Sequence, residues 1–111
     1  MAQYIPEVTE KDIDRLIARD YRSEEHNEIQ RLLPSVTVRE RLRVIAACLK
    51  IGGGNFSKLK GELLNADGYW REIITEAEYP KIKKARKYIE TEIHEKQKQQ
   101  YLKWFNGEEN L

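Results

Sequence analysis

Apolar residues recur at helical spacing along most of the chain, and the recurrence stops at defined places. Ile13, Leu16, Ile17 and Tyr21 share one face of a helix predicted over residues 10–20. Thr9 followed by Asp12 resembles an acidic cap, and Glu10 and Asp12 suit the positive end of the helix dipole. Ser23 can cap a second helix, with Glu24 and Glu25 in its first turn and Ile29, Leu32 and Leu33 as its stripe. Pro34 ends that helix, because it has no backbone N–H and biases the preceding residue away from helical backbone.

The block from Arg41 to Pro80 supplies most of the core-forming residues. Thr37-Val38-Arg39-Glu40 reads as a capping box. Behind it Leu42, Ile45, Ala46 and Leu49 line one face, widened by Val44, Ala47 and Cys48. A surface that wide predicts the central, most buried helix, Arg39–Lys50. Gly52, Gly53 and Gly54 end it, since glycine readily takes left-handed backbone. Asn55 caps a short helix carrying Phe56, Leu59, Leu63 and Leu64. Asp67 and Gly68 break it, and Tyr69, Trp70, Ile73, Ile74 and Ala77 make the next.

Pro80 suits the first position of a final helix. Nothing interrupts that helix before Asn106-Gly107, so residues 80–105 form a rod of roughly 38 Å at 1.5 Å per residue. Ile82, Ala85, Ile89 and Ile93 make its first half amphipathic. His94 to Gln100 is wholly polar, and apolar character returns with Tyr101, Leu102, Trp104 and Phe105. There is no internal repeat and no sustained β-alternation. The interrupted stripe excludes a zipper seam.

The expected architecture is all-α: a single compact domain of about five to six helices. Residues 1–8 form a tail, 9–106 the helical domain with its C-terminal helix partly protruding, and 107–111 a second tail. The 111 residues suffice for one modest core. No apolar run is long enough to cross a membrane. The first residues lack a basic start followed by an apolar stretch, which argues against a secretory signal and for the cytoplasm.

Charge changes the picture only locally. The net charge is +1, but residues 81–103 carry eight basic and three acidic side chains. Within them Lys81, Lys83, Lys84, Arg86 and Lys87 sit at a helix start, where the dipole disfavours cations. Two readings stay open: contact with phosphates or an acidic partner, or a solvated face balanced by Glu76, Glu78, Glu90 and Glu92.

Candidate chemistry is sparse. Gly52-Gly53-Gly54-Asn55 lacks the Lys-Ser/Thr and the preceding strand of a phosphate loop. His26 and His94 stand alone. Cys48 lies among Ala46, Ala47 and Leu49 and reads as a small core hydrophobe rather than a nucleophile. With one cysteine no zinc set can be drawn. The pairs Glu72/Glu76 and Glu24/Glu28 read as solvated helix faces. A helix-turn-helix reading of Phe56 to Ala77 fails on charge, because its recognition helix would carry Glu72, Glu76 and Glu78 against Arg71. No catalytic residue, metal site or cofactor is expected, and the chain is not read as an enzyme unless a partner chain completes a site.

Tyr101, Leu102, Trp104 and Phe105 lie beyond the polar gap and need a surface to cover them. One solution is Tyr4 and Ile5 of the same chain. The other is an interface, either with an unidentified protein or in a symmetric homodimer. The leading expectation is therefore a non-enzymatic interaction or adaptor protein acting through its C-terminal helix. The alternative is nucleic-acid binding through the cluster at residues 81–87.

The central block also resembles a group of small bacterial helical proteins of uncharacterised function. The resemblance runs through Arg43-Val44-Ile45-Ala46-Ala47-Cys48-Leu49-Lys50, Gly54-Asn55-Phe56 with Leu59, Tyr69-Trp70-Arg71-Glu72-Ile73-Ile74 and Ala77-Glu78-Tyr79-Pro80. Arg22 through Leu33 is similar too, so residues 10–80 are covered. It implies an all-helical cytoplasmic bacterial protein and no particular activity. The extended C-terminal helix departs from the group's pattern.

Overall fold

The first helix begins where the local chemistry directs. The computed structural model describes residues 7–79 and 91–107. In it α1 spans Glu10–Asp20 and is closed by a reciprocal cap. The Asp12 N–H donates to the Thr9 hydroxyl at 3.2 Å, and the Thr9 N–H donates to the Asp12 carboxylate at 3.0 Å. The second bond favours the charged carboxylate and holds Asp12 below its ordinary pKa. Ile13, Leu16 and Ile17 face the core.

The second predicted helix is divided. A 3-10 turn at Ser23–Glu25 precedes α2, His26–Leu32, and a second 3-10 turn follows at Leu33–Ser35. Ser23 lies inside the first turn, and no side chain caps it. Pro34 lies at the start of the second turn, just after Leu33, where a missing donor costs nothing.

The predicted capping box at Thr37–Glu40 does not form. Helix α3 spans Arg41–Gly52, and Glu40 precedes it without a side-chain cap. A tertiary partner has taken Thr37: its N–H donates to Asp67 at 2.7 Å, and its hydroxyl also bonds the Asp67 carboxylate. Those bonds lower the Asp67 pKa. Six consecutive residues of α3, Val44 to Leu49, are buried, as expected of a helix covered on several sides.

The turn after α3 is set by two distinct demands. Gly53 takes φ +57, and its N–H reaches the Leu49 and Lys50 carbonyls at 3.2 and 3.1 Å. Gly52 is glycine for space, because a Cβ there would strike the Tyr21 hydroxyl and Leu59. Asn55 then caps α4, Phe56–Glu78, accepting from the Lys58 N–H at 3.0 Å. The break expected at Asp67-Gly68 is a kink in one continuous element, with Tyr69 at φ −130 and ψ 30. Asp67 stays helical while holding Thr37, and the deviation falls just after the glycine.

Helix α5 spans Thr91–Asn106. Its expected start at Pro80, and the stretch through residue 90, lie outside the described residues. The described part of α5 packs on the body of the domain instead of protruding. Gln97 and Lys98, inside the polar run, are buried, and Tyr101 and Phe105 join the common core. No strand occurs among the described residues, so the protein is a single all-α domain. No described helix is long and apolar enough to cross a membrane.

Candidate interaction surfaces

The four partner-binding candidates are gathered at the carboxyl end of α5. The rings of Tyr101 and Phe105 stack with centroids 6.2 Å apart, and the Trp104 ring is tilted 5.5 Å from Tyr101. Helix α1 covers two of them, Trp104 and Phe105. Arg15 donates to the Phe105 carbonyl at 2.8 Å, and Arg19 donates to the Trp104 carbonyl at 2.7 Å. The same guanidinium groups lie 5.1 Å from the Phe105 centroid and 5.2 Å from the Trp104 centroid. Carbonyls in a last helical turn lack intrahelical donors, so nearby cations satisfy them and complement the dipole. The ring faces attract the same cations.

Tyr101, Leu102 and Phe105 are buried, and of the four Trp104 alone keeps part of its surface exposed. Cover by Tyr4 and Ile5 lies outside the described residues. Sequence reasoning missed Arg15 and Arg19. Their i, i+4 spacing placed them on one face of α1 but could not say what that face meets.

An ion pair joins α3 to the end of α4. Arg43 grips Glu78 through two bonds, of 2.8 and 2.7 Å, and the Glu78 side chain is fully buried. The pairing pushes the Arg43 pKa up. Glu78 is therefore not the solvated counter-charge that the sequence suggested. The Tyr101 hydroxyl lies close enough to this pair to feel both charges. It is buried and has no hydrogen-bond partner among the described residues, and burial raises its pKa. The ion pair fastens α3 to α4, and Tyr101 of α5 packs near it without a bond.

The amino end of α3 borders a cleft of about 470 Å³ with Arg39, Arg41 and Arg43 on its wall. Arg41 is engaged by the Val36 carbonyl at 2.9 Å and by Glu10 at 3.5 Å. A second cleft, of about 390 Å³, lies between Lys50, Ala77, Gln97, Tyr101 and Trp104. The nucleic-acid candidates Lys81, Lys83, Lys84, Arg86 and Lys87 lie outside the described residues.

The remaining reactive types have structural settings. Cys48 is buried and its thiol is pushed up to about 12 by that burial. His26 Nε2 contacts the Tyr21 carbonyl at 2.8 Å. Glu72 and Glu76 are exposed. Among the described residues no group of His, Cys, Asp and Glu could hold a metal ion. The helix proposed for groove reading is the second half of α4, with Ile73, Ile74, Ala77 and Glu78 buried.

The outer face of α4 was not singled out in the sequence. Leu64 is 58 % exposed and Tyr69 59 % exposed, while the rest of the described large hydrophobics are covered or partly covered. Gly61, Asn65 and Gly68 are exposed beside them. Leu64 was expected in the core stripe of its helix. The stripe is instead Leu59, Leu63 and Ala66, which turns Leu64 outward.

Comparison with known proteins finds no matching family model, no matching curated protein and no matching solved structure.

Proposed function

We propose that the protein is a cytoplasmic, non-enzymatic interaction protein of the small bacterial helical kind that its central block resembles. It binds a partner or itself through an exposed helix face. The sequence pointed to the C-terminal helix for this role. The binding surface assigned here is the outer face of α4, because Tyr101, Leu102 and Phe105 already serve the chain's own core. The observation that carries the reading is Leu64, more than half exposed on α4, with Gly61, Asn65 and Gly68 exposed on the same side of the helix. An exposed apolar side chain beside small residues suits a facing helix.

The test uses the full chain as bait in the host, with cross-linking and mass spectrometry to identify what it holds. Leu64→Glu with Tyr69→Ser should lose that partner while circular dichroism stays unchanged. Recovery identical to wild type would end the assignment. The competing proposal, nucleic-acid contact through Lys81, Lys83, Lys84, Arg86 and Lys87, separates by salt. Such binding weakens steeply as salt rises, whereas an apolar interface does not. Absence of binding to mixed-sequence DNA and RNA at low salt would remove it.

A further inference from the structure

Helix α5 is clipped at its carboxyl end. Arg15 and Arg19, one turn apart on α1, donate to the Phe105 and Trp104 carbonyls and lie over the same two rings. Each guanidinium also touches a carboxylate of its own helix, Arg15 at 3.4 Å from Asp12 and Arg19 at 2.7 Å from Asp20. Both cations therefore keep an acidic partner when α5 leaves. Arg43 and Glu78 bond each other rather than α5, so their pair also survives the loss of α5.

The rest of the seam is costly to close. Gln97 and Lys98 are buried in it, and the buried Tyr101 hydroxyl has no hydrogen-bond partner among the described residues. A cleft of about 390 Å³ lies where α5 meets Lys50 of α3 and Ala77 of α4. Burial of polar groups opposes docking, and a gap forfeits packing contacts. The body is built otherwise. Ile13 and Leu16 of α1, Ile45 and Leu49 of α3, and Leu59 and Leu63 of α4 are each at most 1 % exposed. An element with a polar seam and a local clip opens at a lower free energy than an apolar core.

We infer that α5 is a releasable strap, which detaches as a unit while α1 to α4 stay folded. Release turns Tyr101, Leu102 and Phe105 from core residues into an exposed face beside Trp104. The C-terminal helix thus offers its aromatic surface only in the open state, and the docked state withholds it. The inference is independent of the reading of α4 as a binding face.

Hydrogen exchange of the full chain at low denaturant concentrations, read amide by amide, tests it. Amides of α5 should open with a lower free energy and a weaker denaturant dependence than those of α3. Two variants separate strap from body. Ile29→Val thins the core at α2, which supplies none of these seam residues; it should speed exchange in α3 and leave α5 unchanged. Arg15→Ala with Arg19→Ala removes the clip, which is lost in partly and fully opened states alike, so α5 and α3 should both exchange faster, by about tenfold or more. Equal opening free energies for α5 and α3 in the wild type would show that the domain opens only as a whole, and would overturn the inference. So would an Ile29→Val effect that reaches α5 in full, or a clip variant that leaves α5 exchange unchanged.

Discussion

The α3–α4 hairpin and the docking of α5 reach the same degree of burial with opposite materials. Where α3 meets the first half of α4 the contact is dry: Val44, Ile45, Leu49, Leu59 and Leu63 are all buried, and the Arg43–Glu78 pair lies apart, at the far end of α4 beside Tyr101 of α5. Around α5 it is mixed. Gln97 and Lys98 are buried beside Tyr101 and Phe105, with Glu78, Arg43, Arg15 and Arg19 among the groups that face them. The first contact draws on removal of apolar surface from water, which is non-directional and tolerant of register. The second depends on charge pairs and charge-assisted bonds whose stabilisation is lost when one member is missing. A hairpin made the first way forms from pattern alone. A helix docked the second way needs particular residues on three other elements.

The largest expected effect tests the dry side. Leu49→Ala removes a side chain that is 1 % exposed and should cost about 2–5 kcal/mol, read from urea unfolding. A cost below about 1 kcal/mol would show that the site can collapse and that α3 is not the central helix.

The mixed side breaks differently. Arg43→Ala leaves the buried Glu78 carboxylate without its two bonds and should cost about 3 kcal/mol. Replacing both members, Arg43→Leu with Glu78→Leu, should return most of that stability, because two apolar groups carry no desolvation penalty. If the double variant is as unstable as the single one, the pair contributes more than its own pairing and the contrast between the two contacts fails.

Alkaline pH acts on phenols in both regions. Tyr21 donates to the Leu49 carbonyl at 2.9 Å, and burial raises its pKa from 10.0 to about 12. Tyr101 is raised in the same direction, again by burial. Between pH 10 and about 12 the unfolded chain releases protons that the folded chain keeps, so stability falls as pH rises. It is fully present below the ordinary phenol pKa. Thermal melts from neutral pH to about 12 should show this fall. Tyr21→Phe should make it shallower, and an unchanged slope would remove Tyr21 as a cause.

The same contrast explains what was legible in the sequence. Helix α1, the apolar face of α3, the Gly53 stop and the Asn55 cap were readable, because each is decided by residues within one turn. Thr37 was misread because Asp67, thirty residues away, offers a better acceptor than Glu40. Gln97 and Lys98 looked like a solvated stretch because periodicity assigns polar residues to water. Glu78, Arg43, Arg15 and Arg19 create a polar seam that periodicity cannot announce. The outer face of α4 was hidden for the reverse reason: Leu64 sits next to Leu63 and was counted into the same stripe, and the two residues point to different sides.

The smallest effect is the sharpest test of the seam around α5. The Tyr101 hydroxyl is buried and has no hydrogen-bond partner among the described residues, so it gives up hydration and gains no bond in return. Removing a satisfied buried hydroxyl usually destabilises, because its partner is left bare; removing an unsatisfied one relieves a desolvation cost. The ring, which supplies the packing against Trp104 and Phe105, is unchanged in Tyr101→Phe. That variant should therefore be neutral or more stable by up to about 1 kcal/mol. It should leave the Arg43–Glu78 bonds in place. A loss of about 1 kcal/mol or more would mean that the hydroxyl is bonded in solution. Its natural partner would then be Glu78 through a bridging water, and the polar seam would extend from the ion pair into α5 as one network.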